Sequence, residues 1–438
     1  MNKAVFKLTR ELAVIFSGME TIVLLNQDYF MRGMMNLFLL ILFLTTSHLF
    51  EKRYQKISVS YIYVFIVVFI INSLTASAFT PTMIDQMNAD KTFGHWIGDY
   101  YELYFWTVLI VYAVVMFYLR FSPAPEPAEA EPEEDFSPLH SNNCLVGCIL
   151  LIGIYAVVHI YEAIIPVFAY LVHQLVYDKK HPKGKYIFVM LIAAAVGREA
   201  FTQRFKFVQI MLPIFFIFLI KNKSQKKVNI FKVNVCAMIG VLIGCLYGVV
   251  SEVYKLNHDY NGQYRIQDII TNTEMLFTFF YRQFYRVFAI WIKLGGYIIY
   301  HTQVNGFYYG ITYIKPFAGI FGFQYVSLPI IAAWYDQASY AQPGLLAEGY
   351  ANFGVIGAAL NLLAVFFFME YTWNKYRRKP SIINLLFAVV PFSQILLDGG
   401  TLNSAIYLFA LSMFVNIINI IGEQRSRNHV KISENNNI

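Results

Sequence analysis

The chain has 438 residues, 58% of them hydrophobic and only 14% charged, with a formal net charge of +7. Soluble domains hold about 45–50% apolar and about 25% charged residues, so the composition excludes a soluble enzyme and a disordered chain. The apolar stretches run unbroken for about 14–28 residues, where a transmembrane β-barrel would alternate over about 10. The basic residues stand in short clusters between these stretches, which is a topology signal and not a nucleic-acid footprint.

Twelve runs read as membrane spans, at about 11–25, 33–50, 57–79, 103–121, 143–161, 163–178, 186–197, 206–220, 230–253, 344–371, 381–397 and 402–421. The first is short, carries Glu20 and follows Lys3, Lys7 and Arg10. No small-x-small cleavage site comes after it, so it reads as an uncleaved helix and not a signal peptide. With the N-terminus cytoplasmic, the short cytoplasmic segments collect 22 of the 34 Lys and Arg residues. Clusters such as Lys179-Lys180, Lys226-Lys227 and Arg377-Arg378-Lys379 then hold their segments inside. Both termini are expected in the cytoplasm.

The expected fold is therefore an all-α polytopic membrane protein of about twelve transmembrane helices with one large extracytoplasmic loop. Residues 1–250 carry nine spans, 251–343 the loop, 344–421 the last three spans, and 422–438 a cytoplasmic tail. The segment 122–142 begins rich in Pro, Glu and Ala and reads as a flexible acidic cytoplasmic linker. Cys144, Cys148, Cys236 and Cys245 lie inside apolar runs and read as small buried hydrophobes. No His or carboxylate joins them at metal spacing, so no metal is expected.

The loop opens with a plainly aqueous stretch, 254–273. Over 274–300 an aromatic helix is expected, with Arg282, Arg286 and Lys293 within about 40° of one another on the helical wheel. Such a stripe suits a helix lying in the membrane interface. In an alternative reading 277–300 and 316–334 both span, giving fourteen helices. The interfacial version is preferred, because 301–315 would otherwise face the cytoplasm with one basic residue.

Nothing resembles a P-loop, a dinucleotide turn, a zinc-protease helix or a nucleophile triad, so no cofactor is expected. The chemistry is sought among charges on the outer face. The turn GREAFTQRFK (197–206) puts Arg198 and Arg204 outside, against the positive-inside bias. With Arg282 and Arg286 they either snorkel to headgroups or bind an anionic diphosphate through planar guanidinium forks. In PGLLAEGYANFGVIGA (343–358), Gly354, Gly357 and Ala358 read as close helix packing. Glu348 reads either as a helix-terminal carboxylate or as a group that deprotonates a hydroxyl. His301, His258, Asp336 and Asp398 are further acid–base candidates on the same side. His159 and Glu162 are expected to be buried polar groups paired within the bundle.

A long outside loop before the last three spans, the arginine turn AAAVGREAFTQRF (193–205) and the re-entry run GLLAEGYANFGVIGA (344–358) together resemble Wzy-type O-antigen and capsule repeat-unit polymerases. The resemblance covers about 186–421. It implies a bacterial plasma-membrane glycosyltransferase that joins undecaprenyl-diphosphate-linked oligosaccharides at the outer face. It also implies neither nucleotide nor metal, and a flippase and a chain-length regulator of the same pathway as partners. On this reading Arg198, Arg204, Arg282 and Arg286 hold the diphosphate, and Glu348, Asp336 and His301 are the catalytic candidates.

The related O-antigen ligases usually carry a His just upstream of a comparable Gly-x-x-Gly, and 336–350 (DQASYAQPGLLAEGY) has none. That departure favours a polymerase and leaves the base unassigned. A flippase of lipid-linked sugars is the alternative from another class. It would need charges within its spans and two related halves, and no internal repeat is evident.

Overall fold

The computed structural model describes residues 98–121, 138–159, 163–177, 182–197, 209–218 except 215, 265–276, 290–314, 326–336, 343–378, 381–397 and 413–421 except 419, with scattered residues at 18, 33–49, 250–257 and 322. All regular structure among them is helical. The helices are α1 (Gly98–Phe121), α2 (Pro138–Val158), α3 (Ile164–Tyr177), α4 (Gly184–Val196), α5 (Ile266–Thr271), α6 (Ile290–Asn305), α7 (Leu328–Asp336), α8 (Leu345–Arg378) and α9 (Ile382–Leu397), with a 3-10 turn at Ile311–Ile314. The chain divides into two compact units. One is Met1–Pro127 with Asn229–Phe366 and Ile395–Asn403, and the other is Ala128–Val228 with Phe367–Gln394 and Ser404–Ile438.

Within the second unit α2, α3 and α4 pack on one another. α2 opens on Pro138, whose fixed φ and missing N–H suit a first helical position. It ends at His159, which adopts φ +56° and donates its N–H to the Tyr155 carbonyl. His159 is exposed, which corrects its expected place among buried polar groups: a residue that leaves the helix in the left-handed conformation carries its side chain off the packed face. α3 is buried on nearly every side, His173 and Gln174 included. α4 instead buries Tyr186, Val189 and Ala193 and turns Phe188 and Leu191 outward, 64% and 62% exposed. Cys144 and Cys148 are buried in α2, as small hydrophobes. α9 starts at Ser381, whose Oγ accepts from the Asn384 N–H at 3.3 Å as an N-cap does.

Within the first unit α6 packs against α1 and α7. Leu294, Tyr297 and Ile298 of α6, Leu328, Ile331 and Ala332 of α7, and Ala347 and Ala351 of α8 form one core cluster. The spacings 294/297/298 and 328/331/332 give each helix one apolar stripe toward that cluster. α7 as described runs nine residues, about 14 Å at 1.5 Å per residue, and α6 runs sixteen. Of the expected helix over 274–300, residues 274–276 and 290–300 are helical, while 277–289, like 316–321 and 323–325 of the alternative span, lie outside the described residues.

By length and composition one helix among the described residues is long and apolar enough to cross a membrane, Leu345–Tyr376. It is not one continuous rod. Phe353 (φ −141°, ψ 23°) and Gly354 (φ 66°, ψ −153°) leave helical space, and the second of those conformations is open essentially to glycine alone. The Asn361 amide donates to the Leu345 carbonyl at 3.1 Å, although sixteen residues along a straight helix are about 24 Å apart. A Cβ on Gly349 would collide with the Gly357 carbonyl oxygen, and one on Gly357 with that of Gly349. α8 is therefore a hairpin, with an entry arm at 345–352 lying antiparallel to the start of a return arm at 355–378. Gly354, expected as a packing residue, is the break itself. Gly357 and Ala358 do pack closely, but against their own chain at Gly349. The return arm alone, about 33 Å to Tyr376, still exceeds the roughly 30 Å of a bilayer's hydrocarbon core.

Candidate functional site

The break strands the last carbonyls of the entry arm, which have no helical partner beyond it. The segment 306–314 supplies one. Tyr308 N–H donates to the Ala351 carbonyl at 2.9 Å and Tyr309 N–H to the Asn352 carbonyl at 3.3 Å. The Asn352 side chain completes the seam. Its Oδ1 accepts from Gly310 N–H at 2.8 Å, and its Nδ2 donates to Thr312 Oγ1 at 2.6 Å and to the Glu348 carbonyl at 2.8 Å. Asn352 is wholly buried and uses both amide hydrogens and its oxygen, so no polar capacity is wasted in a dry place.

Glu348 lies one helical turn before Asn352, also wholly buried. Its charge acts on Tyr313 in the 3-10 turn, whose hydroxyl donates to Asn361 Oδ1 at 2.7 Å. Burial, reinforced by the Glu348 carboxylate, pushes the Tyr313 phenol up to about 12 against the opposing effect of the Asn361 and Asn352 hydrogen bonds. Tyr313 therefore remains a neutral donor at any physiological pH.

His301 occupies the last turn of α6 and is half-buried. Its Nε2 stands 2.9 Å from the Tyr308 hydroxyl and its Nδ1 3.2 Å from Asn305 Nδ2. Asn305 Nδ2 also donates to the His301 carbonyl at 2.9 Å, which fixes the amide's nitrogen toward the ring. With Nδ1 accepting from Asn305, Nε2 carries the proton and donates to Tyr308. Burial lowers the imidazole below its ordinary 6.5, so the ring is neutral near pH 7 and its basic nitrogen is Nδ1.

Two of the three expected catalytic residues thus meet on one support. His301 reaches the segment 306–314 through Tyr308, and Glu348 through Tyr313 and Asn352. Asp336 closes α7, and its side chain lies outside what is described. Arg198, Arg204, Arg282, Arg286, His258, Asp398 and Glu162 also lie outside the described residues. Sequence reading missed Asn352, Asn361, Tyr308 and Tyr313. The signal for the first two was present: two amides inside an otherwise apolar run, which a membrane helix carries only with partners.

The model of a family of unknown function, DUF6032, matches residues 1–438. The chain belongs to that family. No curated protein and no solved structure matches it. The hairpin and its seam are thus features of a DUF6032 member, and its chemistry rests on the site geometry above.

Proposed function

We propose that this chain is a bacterial plasma-membrane glycosyltransferase that polymerises undecaprenyl-diphosphate-linked oligosaccharide repeat units at the outer face, with about twelve spans and both termini cytoplasmic. The observation that carries the reading is the seam. A neutral imidazole is held by Tyr308 of the same segment, 306–314, whose Tyr313 lies within reach of the charge of a buried carboxylate at a broken apolar helix. Broken helices bring backbone and polar groups to membrane depth where a cavity or polar ligand needs them. Support for a lipid environment comes from outward apolar faces: Phe117 on α1, Phe188 on α4, and Ile356 and Phe367 on the return arm are 64–72% exposed, where soluble chains keep such patches small.

In the proposed reaction the acceptor hydroxyl displaces the Asn305 amide from His301 Nδ1 and gives its proton to that nitrogen. The freed oxygen forms a bond to the anomeric carbon of the donor sugar. The sugar–phosphate bond breaks, and undecaprenyl diphosphate leaves with the electron pair. Tyr308 holds the imidazolium by accepting from Nε2. Glu348 is a positioning residue, acting through Tyr313 and Asn352. Arg198, Arg204, Arg282 and Arg286 are assigned to the diphosphate, whose leaving requires no nucleotide and no metal.

A ligase-like transfer to a different acceptor is the second reading. It gains from one observation: a His absent from 336–350 is supplied from α6 instead, through Tyr308. Purified protein given a lipid-diphosphate-linked repeat unit in detergent tests both. A ladder of products without ATP supports the polymerase, and a single transfer to an added acceptor supports the ligase. No transfer in either format, from protein that is folded, overturns the glycosyltransferase reading.

A further inference from the structure

The segment pinned by Asn352 carries more than its backbone bonds. Tyr309 adopts φ +49°, a left-handed conformation that strains a non-glycine residue. Its N–H nevertheless stays bonded to the Asn352 carbonyl, and its ring is 75% exposed. The same turn brings Gly310 N–H and Thr312 Oγ1 to the buried Asn352 and leaves the Tyr309 side chain outside. What it produces is an outward ring beside two others. Phe307 lies 6.3 Å from Tyr309 at 71°, and 6.2 Å from Tyr350 at 56°. Phe307 is itself wedged over the break, within 3.5 Å of where a Cβ on Gly354 would be. Rings at such angles make a corner and not a flat patch: one face is open while a second ring bounds its edge.

The polar groups around the corner are amides and phenols. Gln303 Nε2 donates to Tyr350 Oη at 3.3 Å and is exposed, as is Asn305. Residues 302–314 contain no Asp, Glu, Lys or Arg, and neither does 349–365. Pyranose rings present C–H faces that pack on aromatic faces and equatorial hydroxyls that pair with amides. Among the described residues of the corner, Gln303, Asn305, Phe307, Tyr309 and Tyr350, none carries a formal charge, which suits a neutral pyranose ring better than a phosphate or a uronate.

We infer that Phe307, Tyr309 and Tyr350 form a shelf that receives an uncharged pyranose ring of the lipid-linked oligosaccharide, with Phe307 and Tyr309 six and eight residues after His301 on the pinned segment and Tyr350 on α8. The identity of the oligosaccharide rests on the polymerase reading; the neutrality of the bound ring rests on the shelf alone.

The test is binding without turnover. The full chain in nanodiscs is titrated with neutral hexasaccharides of glucose, galactose and mannose, and with a hexauronate, following saturation transfer to the sugar protons. At least one neutral hexasaccharide is expected to bind, with the hexauronate weaker. Tyr309→Ala is expected to weaken binding about tenfold, the scale of one lost aromatic contact, and Tyr309→Trp to retain it. Tyr309→Gly separates binding from folding, because it relieves the backbone while removing the ring: its melting temperature should rise as its affinity falls. Equal binding by Tyr309→Ala, tighter hexauronate binding, or no neutral sugar bound overturns the shelf. So does quenching of Tyr309→Trp fluorescence by brominated lipid, which would make the ring a bilayer anchor. Wild type that binds a neutral sugar but never extends a chain keeps the shelf and loses the polymerase. Wild type that extends chains equally well with Tyr309→Ala does the reverse.

Discussion

Gly349 and Gly357 face each other across the α8 hairpin so closely that a Cβ on either would run into the other's carbonyl oxygen. The contact is backbone against backbone, so no side chain can swing aside to relieve it. Gly349→Ala or Gly357→Ala must therefore part the two arms and stretch the Asn361–Leu345 hydrogen bond. Each is expected to cost about 3 kcal/mol, the upper end of overpacking losses, read as a lower thermal midpoint in detergent. Gly153→Ala is the control. Gly153 sits in α2 with nothing within 4 Å of a new Cβ, and there Ala should be neutral or stabilising by about 0.5–1 kcal/mol.

Asn352 should matter to the loop more than to the bundle. Asn352→Ala leaves Gly310 N–H and Thr312 Oγ1 without the amide that now satisfies them, a loss of about 2–3 kcal/mol for buried polar groups. Asn352→Asp keeps an acceptor for Gly310 but cannot donate to Thr312 or to the Glu348 carbonyl, so it should lie between. Hydrogen exchange at Tyr308, Tyr309 and Gly310 is the measurement. Faster exchange there with α2–α4 unchanged is the expected pattern, and uniform exchange across both units would show global destabilisation instead.

The helices from α1 to α4, and α8 and α9, fall where apolar runs were read, within a few residues. That agreement comes from run length, the most direct consequence of burying a helix's surface. The hairpin was not legible in the same way. A hydropathy run averages over Phe353 and Gly354 and sees one span. Yet the run holds its own contradiction, because Asn352 and Asn361 need partners that a straight lipid-facing helix would not offer. Glu348 was singled out from its place at the mouth of a helix. What could not be read was its depth, since that depends on residues 306–314 folding back over it from forty positions upstream. His301 stood out as a residue type, but its tie to Tyr308 depends on the φ +89° of Gly306 and the turn that follows.

If His301 is the base of the proposed transfer, the pH dependence of that transfer follows from it. The base must be neutral, and burial lowers its titration below the ordinary 6.5. Activity should therefore be full at pH 7 and fall as acid protonates Nδ1, with the half-point below 6.5. The stability term has the same sign: the unfolded chain binds that proton more readily than the fold, so the contribution is present above the unfolded value and is lost as pH falls through the folded one. His301→Gln should abolish transfer and erase the acid limb. Tyr308→Phe should leave the limb in place and lower kcat, since it loosens the ring without removing the base. A wild-type acid limb that persists in His301→Gln would assign the base elsewhere, with Asp336 next.

Tyr313 gives the alkaline counterpart. Its folded value is pushed up to about 12, by burial first and then by Glu348. A raised value means the fold favours the protonated phenol. That stability is fully present below the ordinary value of 10.0 and is lost as pH climbs toward 12. Tyr313→Phe should remove part of the wild-type decline in thermal midpoint across that window. Glu348→Gln deletes the charge and lowers the folded value, so the decline should still begin near 10.0 but end at a lower pH with a smaller total loss. Because Glu348 is assigned to positioning, Glu348→Gln should also reduce transfer less than His301→Gln does, while Glu348→Ala, which empties a buried site, should lower both transfer and folded yield.

The arginines decide whether the leaving group is a diphosphate. A guanidinium meets two phosphate oxygens at once through parallel N–H donors, whereas an ammonium delivers the same charge from a single point. If Arg198, Arg204, Arg282 and Arg286 hold the departing diphosphate, Arg→Lys at each should keep membrane insertion and overall stability yet cut chain extension about tenfold or more, with Ala worse. If they only anchor helix ends to headgroups, Lys should serve as well, because snorkelling needs a long stem and a charge but no fork. The two outcomes separate further with inorganic pyrophosphate as a probe. A diphosphate site should be inhibited by it in the wild type, and each Arg→Lys variant should need a higher concentration for the same inhibition. Transfer that is insensitive to pyrophosphate and unchanged in all four Lys variants would remove the diphosphate from this face of the protein.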